Sequence, residues 1–77
     1  MNEMNRLRWS CRRGMLELDL VLTGFLERHY RELTEPQAKI FRKLLDYPDT
    51  DLWDMIMARA EPDENTMKIV LQLIRAS

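Results

Sequence analysis

Three prolines, at positions 36, 48 and 62, and a glycine at 14 cut this sequence into five stretches. Proline lacks a backbone donor and clashes with the preceding turn, so it marks the start or end of a helix rather than its middle. Between these marks the apolar residues recur three and four apart, the spacing of one helical face. Val, Ile and Thr, which favour strands, fill only ten positions, whereas Leu alone fills twelve. The pattern predicts an all-α fold, a compact five-helix small bundle, with helices over roughly 3–12, 15–32, 35–46, 51–60 and 64–75. Thr34 is placed to cap the third helix, with Pro36 in its first turn, and Thr50 and Asp63 to cap the fourth and fifth.

At 100° per residue, Met15, Leu18, Leu22, Phe25, Leu26, His29 and Leu33 fall on one stripe of the second helix, its expected buried face. Ile40, Phe41, Leu44 and Leu45 do so in the third. In the fourth the group is Leu52, Met55, Ile56 and Ala60, with Trp53 and Met57 at its flank. In the last, Met67, Val70, Leu71 and Ile74 form a stripe, with Ile69 and Leu73 behind it. A helix apolar on both sides is either central to a core or covered by a partner. In so small a chain the core is the expected place, and a homodimer is the alternative to a monomer.

The 77 residues suffice for one domain, 1–77. The net charge of −1 argues against a basic nucleic-acid binder. A single Cys excludes an intramolecular disulfide, and with a single His it gives no zinc site. No apolar run reaches the ~18 residues of a membrane span, and none near Met1 reads as a signal peptide. There is no Gly-rich phosphate loop, no HExxH pair and no set of residues for a nucleophile triad. His29 reads as a satisfied core histidine, and Cys11, on one face with Met4 and Leu7, as a small buried hydrophobe. An enzyme is not expected. The charge is polarised: residues 1–14 sum to +3 and residues 46–65 to −6. These are either two solvated faces that attract each other within the fold or an oriented surface for a partner.

The densest segment runs from Trp9 to Asp19. Arg12 and Arg13 close one helix, Gly14 takes the position where a left-handed backbone ends it, and Glu17 opens the next. Trp9 lies away from Met4, Leu7 and Cys11, on the side of Arg6 and Arg13, an arrangement like an interface hot spot. Asp19 falls on the buried side, where a carboxylate needs a partner. Either Asp19 braces the joint while Arg13, Gly14 and Glu17 face outward, or the helix start is frayed.

Arg13-Gly14-Met15-Leu16-Glu17, with Arg12 before it and Leu18-Asp19 after it, resembles the RGxxE motif of the SdhE family, the FAD assembly factors of succinate dehydrogenase. Phe25 to Tyr30, the Leu44-Leu45 helix and Asp49-Thr50-Asp51-Leu52-Trp53 extend the resemblance through most of the chain. It implies a small five-helix protein that binds the flavoprotein subunit of succinate dehydrogenase, and the related fumarate reductase subunit. The implied activity is chaperone-like promotion of covalent FAD attachment to a histidine of that client, so that His29 has no part. Arg13, Gly14 and Glu17 match the motif and would contact the client, with Arg12, Asp19 and Trp9 beside them. No metal is expected, nor any FAD held stably by this chain. Only twelve residues precede Arg13, which suits a cytoplasmic bacterial member rather than one with a mitochondrial targeting extension.

Two other readings compete. An antitoxin-type or other small protein-binding module would present a similar surface. A helical DNA-binding regulator would use Arg6, Arg8, Arg12 and Arg13 on phosphate, against the repulsion of the acidic segment.

Overall fold

The computed structural model describes residues 2–77. Among them are five α-helices and no strand: α1 (Glu3–Cys11), α2 (Leu16–His29), α3 (Glu35–Leu44), α4 (Asp49–Ile56) and α5 (Asn65–Ala76). A 3-10 turn, Tyr30–Glu32, follows α2, because His29 at φ −128° breaks the α-helical run expected to reach residue 32. The radius of gyration is 11.4 Å, against about 11.5 Å for a compact chain of this length. Among the described residues no helix is long and apolar enough to cross a membrane.

One apolar cluster draws on all five helices. α5 packs on α3, α4 and α2, and α1 packs on α2. The Phe41 ring lies 5.3 Å from Phe25 and 5.7 Å from Tyr30, centroid to centroid, in tilted contacts. Leu18, Leu22, Phe25 and Leu26 are buried as the stripe requires. His29 is not: its side chain is half-exposed, against Phe25 on one side and 4.0 Å from Glu32 on the other. Ile69 and Leu73 are exposed as well, so the back of α5 lies outside the core that was its expected place. On the surface, Arg42 donates to the Tyr30 hydroxyl at 2.8 Å and to Glu3 at 3.3 Å, pinning the start of α1 to α3.

The helix ends separate the caps that formed from those that did not. Thr34 and Gln37 form a full capping box: the Thr34 hydroxyl accepts from Gln37 N–H, and Gln37 Oε1 accepts from Thr34 N–H. Thr50 is no cap, because α4 already begins at Asp49 behind Pro48, whose fixed φ starts the ladder with Leu52 N–H donating to Pro48 O. Asp63 is no cap either. Its carboxylate accepts from the Tyr47 hydroxyl, and neighbouring Glu64, at the N-cap of α5, pairs with Lys43 at 3.2 Å. Competing long-range partners draw both acids away from the α5 amides.

α4 ends four residues short of its expected limit, in a Schellman turn without glycine. Arg59 N–H donates to Asp54 O at 2.7 Å and Ala58 N–H to Met55 O at 3.2 Å, with Ala58 at φ +61°. Ala60 therefore lies exposed beyond the helix rather than on its buried face. Arg75 of α5 closes the same end, its guanidinium donating to the carbonyls of Ile56 at 2.6 Å and Met55 at 2.7 Å. A left-handed backbone strains alanine but not glycine. Ala58→Gly is expected to stabilise the fold by about 0.5–1 kcal/mol once glycine's larger unfolded-state entropy is set against that relief. Thermal unfolding checks it, and a lower melting temperature would contradict it.

Candidate functional site

The joint between α1 and α2 is built from its buried side outward. Cys11 is fully buried in the last turn of α1 and anchors the joint to the core. Burial pushes its thiol up to about 11, while the nearby Arg13 cation opposes that rise and Asp19 adds to it. The thiol is protonated and inert at neutral pH. Arg12 then turns to extended backbone, φ −76° and ψ 126°, and its N–H returns to Trp9 O at 3.1 Å.

Arg13 does not face outward. Its side chain is only 11% exposed, and it reaches under the joint to the turn between α3 and α4. Nη1 donates to Tyr47 O and to Asp49 Oδ1, each at 3.2 Å, and Nη2 donates to Leu45 O. The planar guanidinium fork matches three acceptors spread over five residues, which an ammonium could not do. The turn supplies carbonyls because the end of α3 leaves them without helical partners. Nε is the one buried side-chain polar atom without a hydrogen-bond partner among the described residues. The basic first segment and the acidic 46–65 segment thus meet inside the fold, through Arg13 and Asp49.

Asp19 has the bracing geometry. Its Oδ2 accepts from Arg13 N–H at 3.2 Å and its Oδ1 from the Thr23 hydroxyl at 3.3 Å. The carboxylate also sits in the first turn of α2, where a negative charge is favoured. Asp19→Asn keeps one acceptor oxygen and loses the charge. It is expected to destabilise by about 0.5–1.5 kcal/mol, read as a lower melting temperature. No change in melting would remove the bracing role.

Above this scaffold the exposed residues are Trp9, Arg12, Gly14 and Glu17. Trp9 is 63% exposed, and the Arg12 guanidinium lies over its ring at 5.4 Å from the centroid. Arg12, not Arg13, is therefore the cation beside Trp9, and Arg12 and Glu17 are the opposite charges flanking Gly14. Gly14 has no positive φ, so the left-handed reading of this position does not hold. A Cβ built on it would meet nothing nearer than Asp49 Oδ2 at 4.0 Å. The fold itself makes no demand for glycine there.

Two features of this face escape the motif. Asp49 is the acidic anchor of Arg13; the charge polarity of the chain and the Asp49–Trp53 segment pointed to it, but neither paired it with Arg13. Leu16 and Leu20 are 66% and 63% exposed on α2. A wheel drawn on that helix carries the sign, since they lie one turn apart, off the buried stripe.

The N-terminal turn of α2, where a pyrophosphate would find free amides, carries Glu17 and Asp19, and their charge repels phosphate. No group of His, Cys, Asp and Glu suited to a metal occurs among the described residues.

A family profile described as "Flavinator of succinate dehydrogenase" matches residues 5–77. Proteins described as "FAD assembly factor SdhE" are similar over most of their length. That of Legionella pneumophila (strain Lens) is 47% identical over 68 residues, covering 88% of this chain and 86% of the relative. That of Coxiella burnetii is 41% identical over 70 residues, covering 91% and 85%. That of Methylococcus capsulatus is 38% identical over 76 residues, covering 99% and 92%.

Proposed function

Because the chain belongs to the family of succinate dehydrogenase flavinators, the FAD assembly factors, we propose that it docks the flavoprotein subunit of succinate dehydrogenase through the Gly14 joint and promotes that subunit's covalent flavinylation. The related fumarate reductase subunit is a second client in this proposal, and the cytoplasm its setting. The observation that carries the assignment to the joint is Gly14 itself. It is exposed, has an ordinary backbone and has open space where a side chain would stand. A residue the fold leaves free to carry a side chain, yet which carries none, allows a partner's backbone to come close.

Trp9, Arg12, Gly14 and Glu17 form the contact face in this reading. Arg13 and Asp19 hold its shape from beneath, through the α3–α4 turn and the joint's own backbone. The Trp9 ring with Arg12 stacked on it gives a large, stiff contact, and Arg12 and Glu17 fix orientation by opposite charge. The factor acts by binding and catalyses no step. FAD and the accepting histidine remain the client's, in keeping with the acidic start of α2. Promotion then means binding the client conformer competent for attachment more tightly than the others, which raises its population.

The test is a pull-down from cells with the wild-type protein and with Glu17→Ala, read for the flavoprotein subunit and its covalent FAD. Glu17 is exposed and makes no side-chain hydrogen bond or ion pair among the described residues, so its loss is expected to weaken capture by about tenfold while costing the fold only about 0.3–1 kcal/mol of first-turn dipole interaction. Equal capture and equal covalent FAD for both proteins would remove the joint from the function.

A further inference from the structure

The second glycine of the chain stands in the middle of α2, where glycine is costly. Its reason is visible one turn on. The guanidinium of Arg28 lies back over Gly24, with Nη2 only 2.9 Å and Nη1 3.1 Å from where a Cβ would be. The bare backbone lets this cation lie flat along the helix instead of standing into solvent. Arg28 makes no ion pair among the described residues.

Leu16, Leu20, Gly24 and Arg28 are spaced four apart, so they form one ridge of α2 that starts at the Gly14 joint. Alongside its lower half runs a groove of about 570 Å³ between α2 and the ends of α4 and α5. Leu20, Trp53, Ile56, Met57 and Ile74 give it apolar walls, and Arg28 and Arg75 stand in its lining. Arg75 spends its guanidinium on the carbonyls that end α4, which leaves Arg28 as the lining cation with neither an ion pair nor a carbonyl partner among the described residues. An apolar trough holding one unpaired cation, continuous with the joint along one helix, is suited to a segment that is apolar and carries a carboxylate.

We propose that this groove is a second docking surface for the same client, taking an apolar segment of the flavoprotein subunit whose acidic side chain pairs with Arg28. The inference rests on the reading that the Gly14 joint docks that subunit. The groove extends the contact along α2 by about 12 Å, from Leu20 to Arg28 at 1.5 Å per residue. Gly24 is then a positioning residue, since it sets where the cation lies.

The chain's two tryptophans make the two surfaces separable, because Trp9 stands at the joint and Trp53 in the groove. The experiment is 19F NMR of the full chain labelled with 5-fluorotryptophan, titrated with unlabelled apo flavoprotein subunit and assigned with Trp9→Phe. Both resonances are expected to move. Leu20→Glu and Arg28→Glu alter exposed residues and leave the fold helical. Each is expected to weaken binding by about tenfold and to return the Trp53 resonance toward its free position while that of Trp9 still moves. Gly24→Ala is the sharper test. The new methyl displaces only the mobile end of Arg28, so the variant should melt roughly 4–8 °C higher and still bind more weakly. Ile69→Glu, on the far side of α5, should bind like wild type. A Trp53 resonance unmoved at saturation, while that of Trp9 moves, overturns the groove and spares the joint. No movement of either and no association overturn the joint reading, and this inference with it. Self-association of the chain that Leu20→Glu dissolves would assign the groove to a second copy instead.

Discussion

Arg13→Ala is expected to lower the stability of the fold by about 2–4 kcal/mol, at least about a sixth of the roughly 4–12 kcal/mol a chain of this length possesses. The substitution leaves the carbonyls of Leu45 and Tyr47 without their donor and Asp49 without its cation, at a place closed to water on the Arg13 side. Two turns far apart in sequence, 12–15 and 45–48, would lose the group that ties them together. Arg13→Lys should recover about half of the loss, because one ammonium keeps the charge but cannot reach all three acceptors. Urea unfolding at fixed temperature measures both variants. A loss below about 0.5 kcal/mol for Arg13→Ala would mean that the guanidinium is incidental to the fold. Any failure of this variant to bind a client should be recovered in part by Arg13→Lys, which separates a shaping role from a direct contact.

The counterpart is Gly14→Arg, expected to leave the protein folded and deprive it of function. No left-handed backbone forbids a side chain, and the nearest atom to a new Cβ is 4.0 Å away on Asp49, whose charge a guanidinium would find favourable. Stability should change by about 0.5 kcal/mol or less, as for an ordinary exposed position. A long side chain standing on the joint keeps a partner's backbone away, so client affinity should fall at least about tenfold and covalent FAD in the co-expressed subunit with it. Normal flavinylation by this variant would contradict the placement of the docking face at Gly14. The two variants fail in opposite ways, one through the fold and one through the surface.

The same contrast explains how far the sequence could be read. Proline spacing and the apolar stripe of Leu18, Leu22, Phe25 and Leu26 give the helices and their buried face, because both depend on neighbours a few residues apart. Thr34 was legible for that reason too, since its partner Gln37 is three residues on. Asp63 was not, because the hydroxyl it accepts from belongs to Tyr47, sixteen residues back. The end of α4 was hidden by Ala58, an alanine in a place where sequence logic looks for glycine. Arg13 is the instructive case. Its neighbours in sequence, a Trp, an Arg and a Gly, all suggest an outer face, but its side chain answers to a turn more than thirty residues away. The motif was visible; which of its members look inward is a property of the α3–α4 turn, and so of the fold.

The closure of α4 by Arg75 has a consequence for how the chain is made. Synthesis delivers the helices in order, and until residue 75 has emerged and α5 has packed the Ile56 carbonyl lacks its Arg75 donor and the Met55 carbonyl has only the local Ala58 N–H. A nascent chain is therefore left with the end of its fourth helix incompletely closed until the last turn of α5 arrives. The end of α5 acts as a latch on the end of α4.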